Sequence, residues 1–225
     1  MNSESGSQAL ILDRSKPQAE VVATRLRRTL DASGFPDAQD WRSAASISFC
    51  RDWQGNHEDP RRTTEVRILW SPETLFLSFE CRYREIWVFE DSESNGRRDG
   101  LWDRDVAEAF LQPDDFGSRN YKEFEVSPNG FWVDLQISDA PRRDLKSGMH
   151  CSAKIDESAK TWSARLAMPM RSLTSVFDPA KPWRANFFRA EGKDPKRAYL
   201  AWQPTRTPEP QFHVPTAFGT LRFER

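Results

Sequence analysis

The sequence predicts an all-β fold, an antiparallel β-sandwich with little helix. Three observations carry that expectation. Segments in which apolar and polar residues alternate recur along the chain, among them 64–70, 75–83, 131–138 and 161–168, and period-two alternation marks a strand with one face in a core. Turn residues separate these segments at close intervals, as in Ser71-Pro72-Glu73-Thr74 and Pro128-Asn129-Gly130, which is the spacing of short strands in a sandwich or barrel. No stretch sustains the period of a long helix.

Taken in order, residues 1–20 are polar and without periodicity, and are expected to form a flexible lead-in. The sandwich is expected over 21–225. Residues 21–30 lean towards strand through Val21, Val22 and Thr24, although their Arg residues spoil the pattern. The segment 31–41 holds Gly34 and Pro36 and reads as turns. Residues 46–53 are a short strand candidate, followed by a loop over 54–62. A hairpin follows, with Val66 and Ile68 on one face of its first strand and Leu75, Leu77, Phe79, Cys81 and Tyr83 on one face of its second. Residues 85–98 are a long charged excursion carrying Trp87, and long ordered loops of this kind tend to be functional. A strand around 106–111 comes next, then a second hairpin, 120–127 with 131–138, closed by a tight turn. Residues 161–168 alternate, and 169–173 form one helical turn that tolerates Pro169 near its start. Strands over 183–190, 198–203 and 218–223 finish the chain.

Composition bounds the function. The chain has 225 residues, 37% apolar and 30% charged, and its nine Trp and fifteen Phe supply enough area for a real core. A formal net charge of −1 argues against a nucleic-acid partner or an acidic membrane surface. Basic pairs such as Arg97-Arg98 and Arg142-Arg143 sit among acids and read as solvated charge. The three cysteines, at 50, 81 and 151, are odd in number and lack a CxxC spacing, so neither a disulfide framework nor a zinc site is expected. No segment has the length of a membrane span, and no signal peptide is visible.

The stretch from Gly100 to Leu111 carries the most pointed chemistry. Glu108 shares a strand face with Val106 and Phe110, while Ala107, Ala109 and Leu111 make the other face apolar. A strand covered on both sides cannot hold an uncompensated carboxylate cheaply. Glu108 therefore reads either as half of an internal ion pair or as a ligand-binding carboxylate beside an aromatic platform.

The spacing Trp102-x-x-Asp105-x-x-Glu108-x-Phe110, the strand around Phe124, Trp183-x-x-Asn186, Trp202-x-Pro204 and Phe212-His213-x-Pro215-x-x-Phe218-Gly219-x-Leu221 resemble family 9 carbohydrate-binding modules over about residues 26–223. The resemblance implies a DOMON-type β-sandwich that grips the end of a sugar chain between two Trp rings, Trp102 and Trp202, with Glu108 orienting hydroxyls. Pyranose rings present apolar faces that suit aromatic planes, and their rims need polar partners. At the position of a family Arg that contacts sugar, this chain has Glu125. Another cation, Arg189 or Arg98, is expected to replace it, with Arg189 the leading partner for Glu108. The resemblance also implies structural calcium, for which Asp103, Asp105, Asp114 and Asp115 are candidate oxygen ligands. It places the protein outside the cell, whereas the absence of an export signal would leave it in the cytoplasm.

Two other classes compete. Glu123 and Glu125 lie two apart on one strand face, about 6.6 Å between Cα atoms, a spacing a glycosidase can use; with thirty-four acids such pairs arise by chance. A haem-binding sandwich would draw on Met149 and His150, but adjacent strand residues point to opposite faces, so His213 or His57 would have to join. Non-catalytic carbohydrate binding without haem is the expectation.

Overall fold

The computed structural model describes residues 19–30, 34–113 and 119–225. The expected lead-in falls outside them except for Ala19 and Glu20, and Glu20 already opens the first strand. The elements in chain order are β1 (Glu20–Arg25), α1 (Ala38–Ser43), β2 (Ser46–Phe49), β3 (Thr64–Trp70), β4 (Thr74–Arg82), β5 (Val106–Gln112), β6 (Tyr121–Val126), β7 (Trp132–Ile137), β8 (Arg143–Asp144), β9 (His150–Asp156), β10 (Thr161–Pro169), α2 (Met170–Leu173), β11 (Trp183–Glu191), β12 (Ala198–Ala201) and β13 (Gly219–Phe223). Three short 3₁₀ turns, over 60–62, 101–103 and 215–217, complete the regular structure. No helix among the described residues is long and apolar enough to cross a membrane.

The strands form two layers that share one member. The first sheet runs β8-β7-β6-β5-β11-β13-β1, with β12 added to β11. The second runs β1-β3-β4-β10-β9, with β2 added to β3. β1 belongs to both: residues 20–23 pair with 220–223 of β13, and 24–25 pair with 69–70 of β3. Both of these pairings are parallel, and the remaining ladders between the described strands are antiparallel.

Side-chain parity divides the core into layers. Between the sheets lie Val66, Ile68, Leu75, Leu77 and Phe79 from one side and Ala107, Ala109, Leu111, Phe124 and Phe187 from the other. A second apolar cluster covers the opposite face of the first sheet, built from Val106, Phe110, Tyr121, Val133, Leu135, Phe188 and Phe218. β5 is therefore buried along its whole length, as its two apolar faces demand. The apolar face of β7, Val133, Leu135 and Ile137, belongs to this outer cluster, while Trp132 packs towards the sandwich interior.

Two regions differ from the reading of the sequence. Residues 38–43 form a helix that begins inside the segment read as turns, 31–41, and runs two residues past it. Asp37 caps it by accepting from the backbone N–H groups of Gln39 and Asp40, and the Asp40 carboxylate returns a bond to the Asp37 N–H. This capping box satisfies donors that would otherwise be orphaned, and it seats Trp41 over Leu69, Phe76 and Ala167 on the outer face of the second sheet. β8 and β9 lie in a stretch that the reading of the sequence left unassigned. β9 is a half-exposed edge strand in which Cys151, Ala153 and Ile155 alternate with polar residues and pack against the interior, a period-two signal that the reading of the sequence passed over.

Candidate functional site

A cavity of about 440 Å³ opens on the outer face of the first sheet. That volume suits a small ligand such as a sugar residue or two. Trp87, Trp102, Tyr199 and Phe212 supply aromatic walls, and Glu108, Glu123, Asp103, Asp194, Arg142, Arg197 and His213 supply the polar groups.

Local structure explains how these side chains meet. The turn over 101–103 follows Gly100, whose φ of 71° is in the left-handed region that glycine adopts without penalty. It places Trp102 at the cavity while Leu101 anchors in the outer cluster. Asp105, buried at the head of β5, accepts from the backbone N–H of Trp87 at 3.0 Å and of Gly192 at 2.7 Å. One carboxylate thus ties the long excursion and the β11–β12 turn to the same strand. Burial pushes its pKa up, while Arg189 and these backbone donors oppose the rise. Arg197 donates to the carbonyls of Trp102, Asp103 and Arg104 at 2.6, 2.6 and 2.9 Å, which fixes the shape of the turn. The Arg142 guanidinium lies 4.3 Å from the Trp102 ring centre and pairs with Asp99. One face of Trp102 is therefore occupied by a cation.

On the far wall, Phe212 stacks on Phe188 at 4.2 Å. His213 Nδ1 lies 2.6 Å from the Tyr121 hydroxyl. Burial and the neighbouring Glu123 raise the Tyr121 pKa, so the phenol keeps its proton. The hydroxyl and Nδ1 share one hydrogen bond, whose direction follows the His213 tautomer.

Three carboxylates form the floor. Glu108 on β5 stands opposite Glu125 on β6, and Phe110 stands opposite Glu123, so all three Glu side chains share the outer face. One oxygen from each lies within 4.8 Å of the others. Glu108 and Glu123 are 3% exposed and line the cavity; Glu125 is fully buried beneath them. Burial, and then the Glu123 charge, raise the Glu108 pKa well above the ordinary carboxylate range, with Arg197 opposing the shift. For Glu125 the rise comes from burial and then from Glu108 and Glu123, against Arg142. As carboxylates these groups only accept hydrogen bonds, so a bond between Glu123 and Glu125 requires a proton on one of them.

The residues expected from the sequence divide. Trp102, Glu108 and Glu125 come together here. Trp202 is set apart. It is two positions from Leu200, whose side chain faces the sandwich interior, and its backbone N–H bonds to Phe187 O. Its ring packs on Phe187 at 5.7 Å and closes over Gly219, where an added Cβ would lie 2.6 Å from the ring. The structure therefore does not bring Trp102 and Trp202 to opposite sides of a slot. Arg189 is corrected on the same ground. In the β5–β11 register Phe188 stands opposite Glu108, so Arg189 points through to the interior. There it is fully buried, 3.5 Å from Glu191 and 4.9 Å from the Trp162 ring. Arg98 stacks on Phe89 at 3.8 Å and lies 3.8 Å from Asp91, and it does not line the cavity. The cations that do line it are Arg142 and Arg197.

Of the expected calcium ligands, Asp103 lines the cavity, Asp105 is engaged by two backbone donors, and Asp114 and Asp115 lie outside the described residues. Glu123 and Glu125, considered as a catalytic pair, belong to the floor cluster, but only Glu123 reaches the cavity wall. Met149 is buried in the interior and His150 is exposed on β9. Arg197, Tyr199 and Phe212 were not singled out from the sequence as site residues. Tyr199 had a usable signal, since it alternates with Leu200 and so faces away from the interior. Arg197 sits in a charged hairpin turn with nothing to distinguish it.

Comparison with known proteins agrees with this architecture. A protein of Bacteroides uniformis superposes with a TM-score of 0.73 at 16% identity, covering 92% of this chain and 100% of that one. A family 9 carbohydrate-binding module from Caldicellulosiruptor kristjanssonii, solved with cellotriose, superposes with a TM-score of 0.61 at 13% identity, covering 92% and 94%. The same organism's module solved with glucose gives 0.59 at 13%, covering 92% and 96%. At these identities the likeness speaks to fold. In sequence, a protein of Arthroderma benhamiae described as an extracellular protein is 22% identical over 183 residues, 74% of this chain and 81% of that one. The model of carbohydrate-binding family 9 matches residues 50–223, and the chain belongs to that family.

Proposed function

We propose that the protein binds carbohydrate without catalysis, in the cavity on the outer face of the first sheet. The observation that carries this reading is the meeting of Trp102 with Glu108 and Glu123 around one opening. Trp102 offers one ring face to the apolar side of a pyranose, its other face being taken by Arg142. Glu108 and Glu123 accept hydroxyls from the sugar rim. Trp87, Tyr199 and Phe212 complete the walls, in place of a second Trp ring at 202. The family membership and the modules solved with cellotriose and glucose support the ligand class.

The test is calorimetric titration with glucose and cellotriose, preceded by a glycan array. Trp102→Ala and Glu108→Ala should each weaken binding by about 1–3 kcal/mol, the scale of a stacked ring and of a hydrogen bond to a charged group. Absence of saturable binding to any glycan, or unchanged affinity in both variants, would overturn the reading. Release of reducing sugar by the wild type, lost in a Glu123→Gln variant, would replace binding with hydrolysis.

A further inference from the structure

We infer that Glu108, Glu123 and Glu125 form a binding site for a hard divalent cation of calcium size, beneath the floor of the cavity. Proximity of acids alone would not carry this. The second observation is that Glu125, fully buried, has neither carboxylate oxygen hydrogen-bonded among the described residues, and the same holds for Glu123 Oε2. Buried polar atoms are almost always partnered, and a buried carboxylate without a donor is among the costliest exceptions.

The protein's own cations are engaged elsewhere. Arg197 is committed to three backbone carbonyls. Arg142 is committed to Asp99 and the Trp102 ring. Neither forms a salt bridge to any of the three Glu residues. On the reverse face of the sheet, Arg189 is paired with Glu191.

The donor set and its geometry select the ion. Three carboxylate oxygens and no nitrogen or sulfur favour calcium, magnesium or manganese over zinc or copper. Calcium holds its ligands at about 2.3–2.6 Å, so oxygens on opposite sides of one ion stand about 5 Å apart. The three Glu oxygens, all within 4.8 Å of one another, meet that condition. Magnesium demands tighter and more regular octahedral positions.

A protonated amine on a ligand in the cavity is the competing source of positive charge, and the structure disfavours it. Such an amine reaches Glu108 and Glu123, which line the opening, but not Glu125, which does not. Of these two sources, an ion lodged among all three reaches the most deeply buried member; with no ion bound, a proton held between Glu123 and Glu125 takes its place. Carrying the ion on two adjacent strands would also make the floor of the sugar cavity rigid.

The experiment uses the full chain and the ion alone, so its outcome is separate from the sugar reading. EDTA-treated protein is titrated with terbium(III), a calcium-sized probe whose emission is sensitised by nearby Trp, with Trp87 and Trp102 in the same cavity. Saturable emission, displaced by calcium and accompanied by a rise in melting temperature with added calcium, is expected. Glu125→Gln should weaken terbium and calcium binding at least tenfold. If that variant does not fold, Glu108→Gln, on the cavity wall, carries the same expectation. No saturation by about 10 mM calcium, beyond the range of weak extracellular calcium modules, would overturn the proposal, as would unchanged binding in every variant that folds. Sugar binding that persists in EDTA with no response to metal would defeat this inference and leave the carbohydrate reading standing; metal binding without sugar affinity would do the reverse.

Discussion

Alanine substitution at Trp102 and at Trp202 should give opposite phenotypes. Trp202 packs on Phe187, and its ring edge rests on Gly219 at the junction of β11, β12 and β13. Truncating a fully buried Trp costs about 3–5 kcal/mol. The Trp202 ring is only partly buried, so about 2–3 kcal/mol is expected, equivalent to a fall in melting temperature of roughly 4–12 °C for a chain of this length. Sugar affinity, measured well below the transition, should stay close to that of the wild type. Trp102 lies half-buried at the cavity with Arg142 on one face. Trp102→Ala should shift the melting temperature by no more than a few degrees and weaken sugar binding by about 1–3 kcal/mol, or roughly 5- to 150-fold. The two sites share no partner, so the double variant should show the sum of the two effects. Thermal denaturation followed by optical spectroscopy, with calorimetric titration of cellotriose, measures both quantities. A Trp202→Ala protein that melts like the wild type yet loses affinity as Trp102→Ala does would refute the argument and restore a slot between two Trp rings.

Other consequences are as open to measurement. Arg197→Lys removes the fork that holds three carbonyls of the 102–104 turn; amide exchange there should quicken and sugar affinity should drop about tenfold, with stability reduced by about 1–3 kcal/mol. Phe110→Ala empties the centre of the outer cluster, where Phe110 meets Tyr121, Phe188, His213 and Phe218; denaturant titration should show a loss of about 3–5 kcal/mol. The Arg84 guanidinium hydrogen-bonded to Asp59 holds the Asp59 carboxyl below its ordinary value of 3.8, against an opposing rise from burial. A depressed folded pKa means that the pair stabilises fully above the unfolded value and is lost as pH falls through the folded one. The stability gap between wild type and Asp59→Asn should therefore be constant above about pH 5 and close progressively below pH 3.8, as read from urea midpoints across pH.

Much of the fold could be read from alternation alone. β3, β4, β7 and β10 lie where period-two patterns place them, because in each an apolar residue recurs at every second position to line one core face. β9 alternates as well, but two of its three inward residues, Cys151 and Ala153, are small and all three are only half-buried, so its pattern stands out less. Glu108 stood out because a carboxylate inside an apolar strand has few explanations, and Trp102 through the family resemblance; the structure puts both at one cavity. Arg189 and Trp202 were misplaced although parity was sufficient to place them. Arg189 alternates with Phe187, and Trp202 alternates with Leu200, and both of those residues face the interior. What no local pattern held was the convergence of Arg142 and Arg197 on Trp102, which depends on two hairpin turns meeting over a third segment. The charge pattern of those turns is that of any solvated loop.

The double membership of β1 has a bearing on how the protein is made. Its first half is hydrogen-bonded to β13, some two hundred residues downstream, and its second half to β3. A chain emerging from the ribosome can pair β3 with β4 and β10 early, but β1 waits with one side unsatisfied until residues 219–223 have been synthesised. Closing so long a loop is slow compared with local pairing. Chains interrupted before β13 would keep an open strand edge and lack the segment between β11 and β1, the state most exposed to aggregation and to proteases. The seam between the sheets thus closes only after β13 has been made.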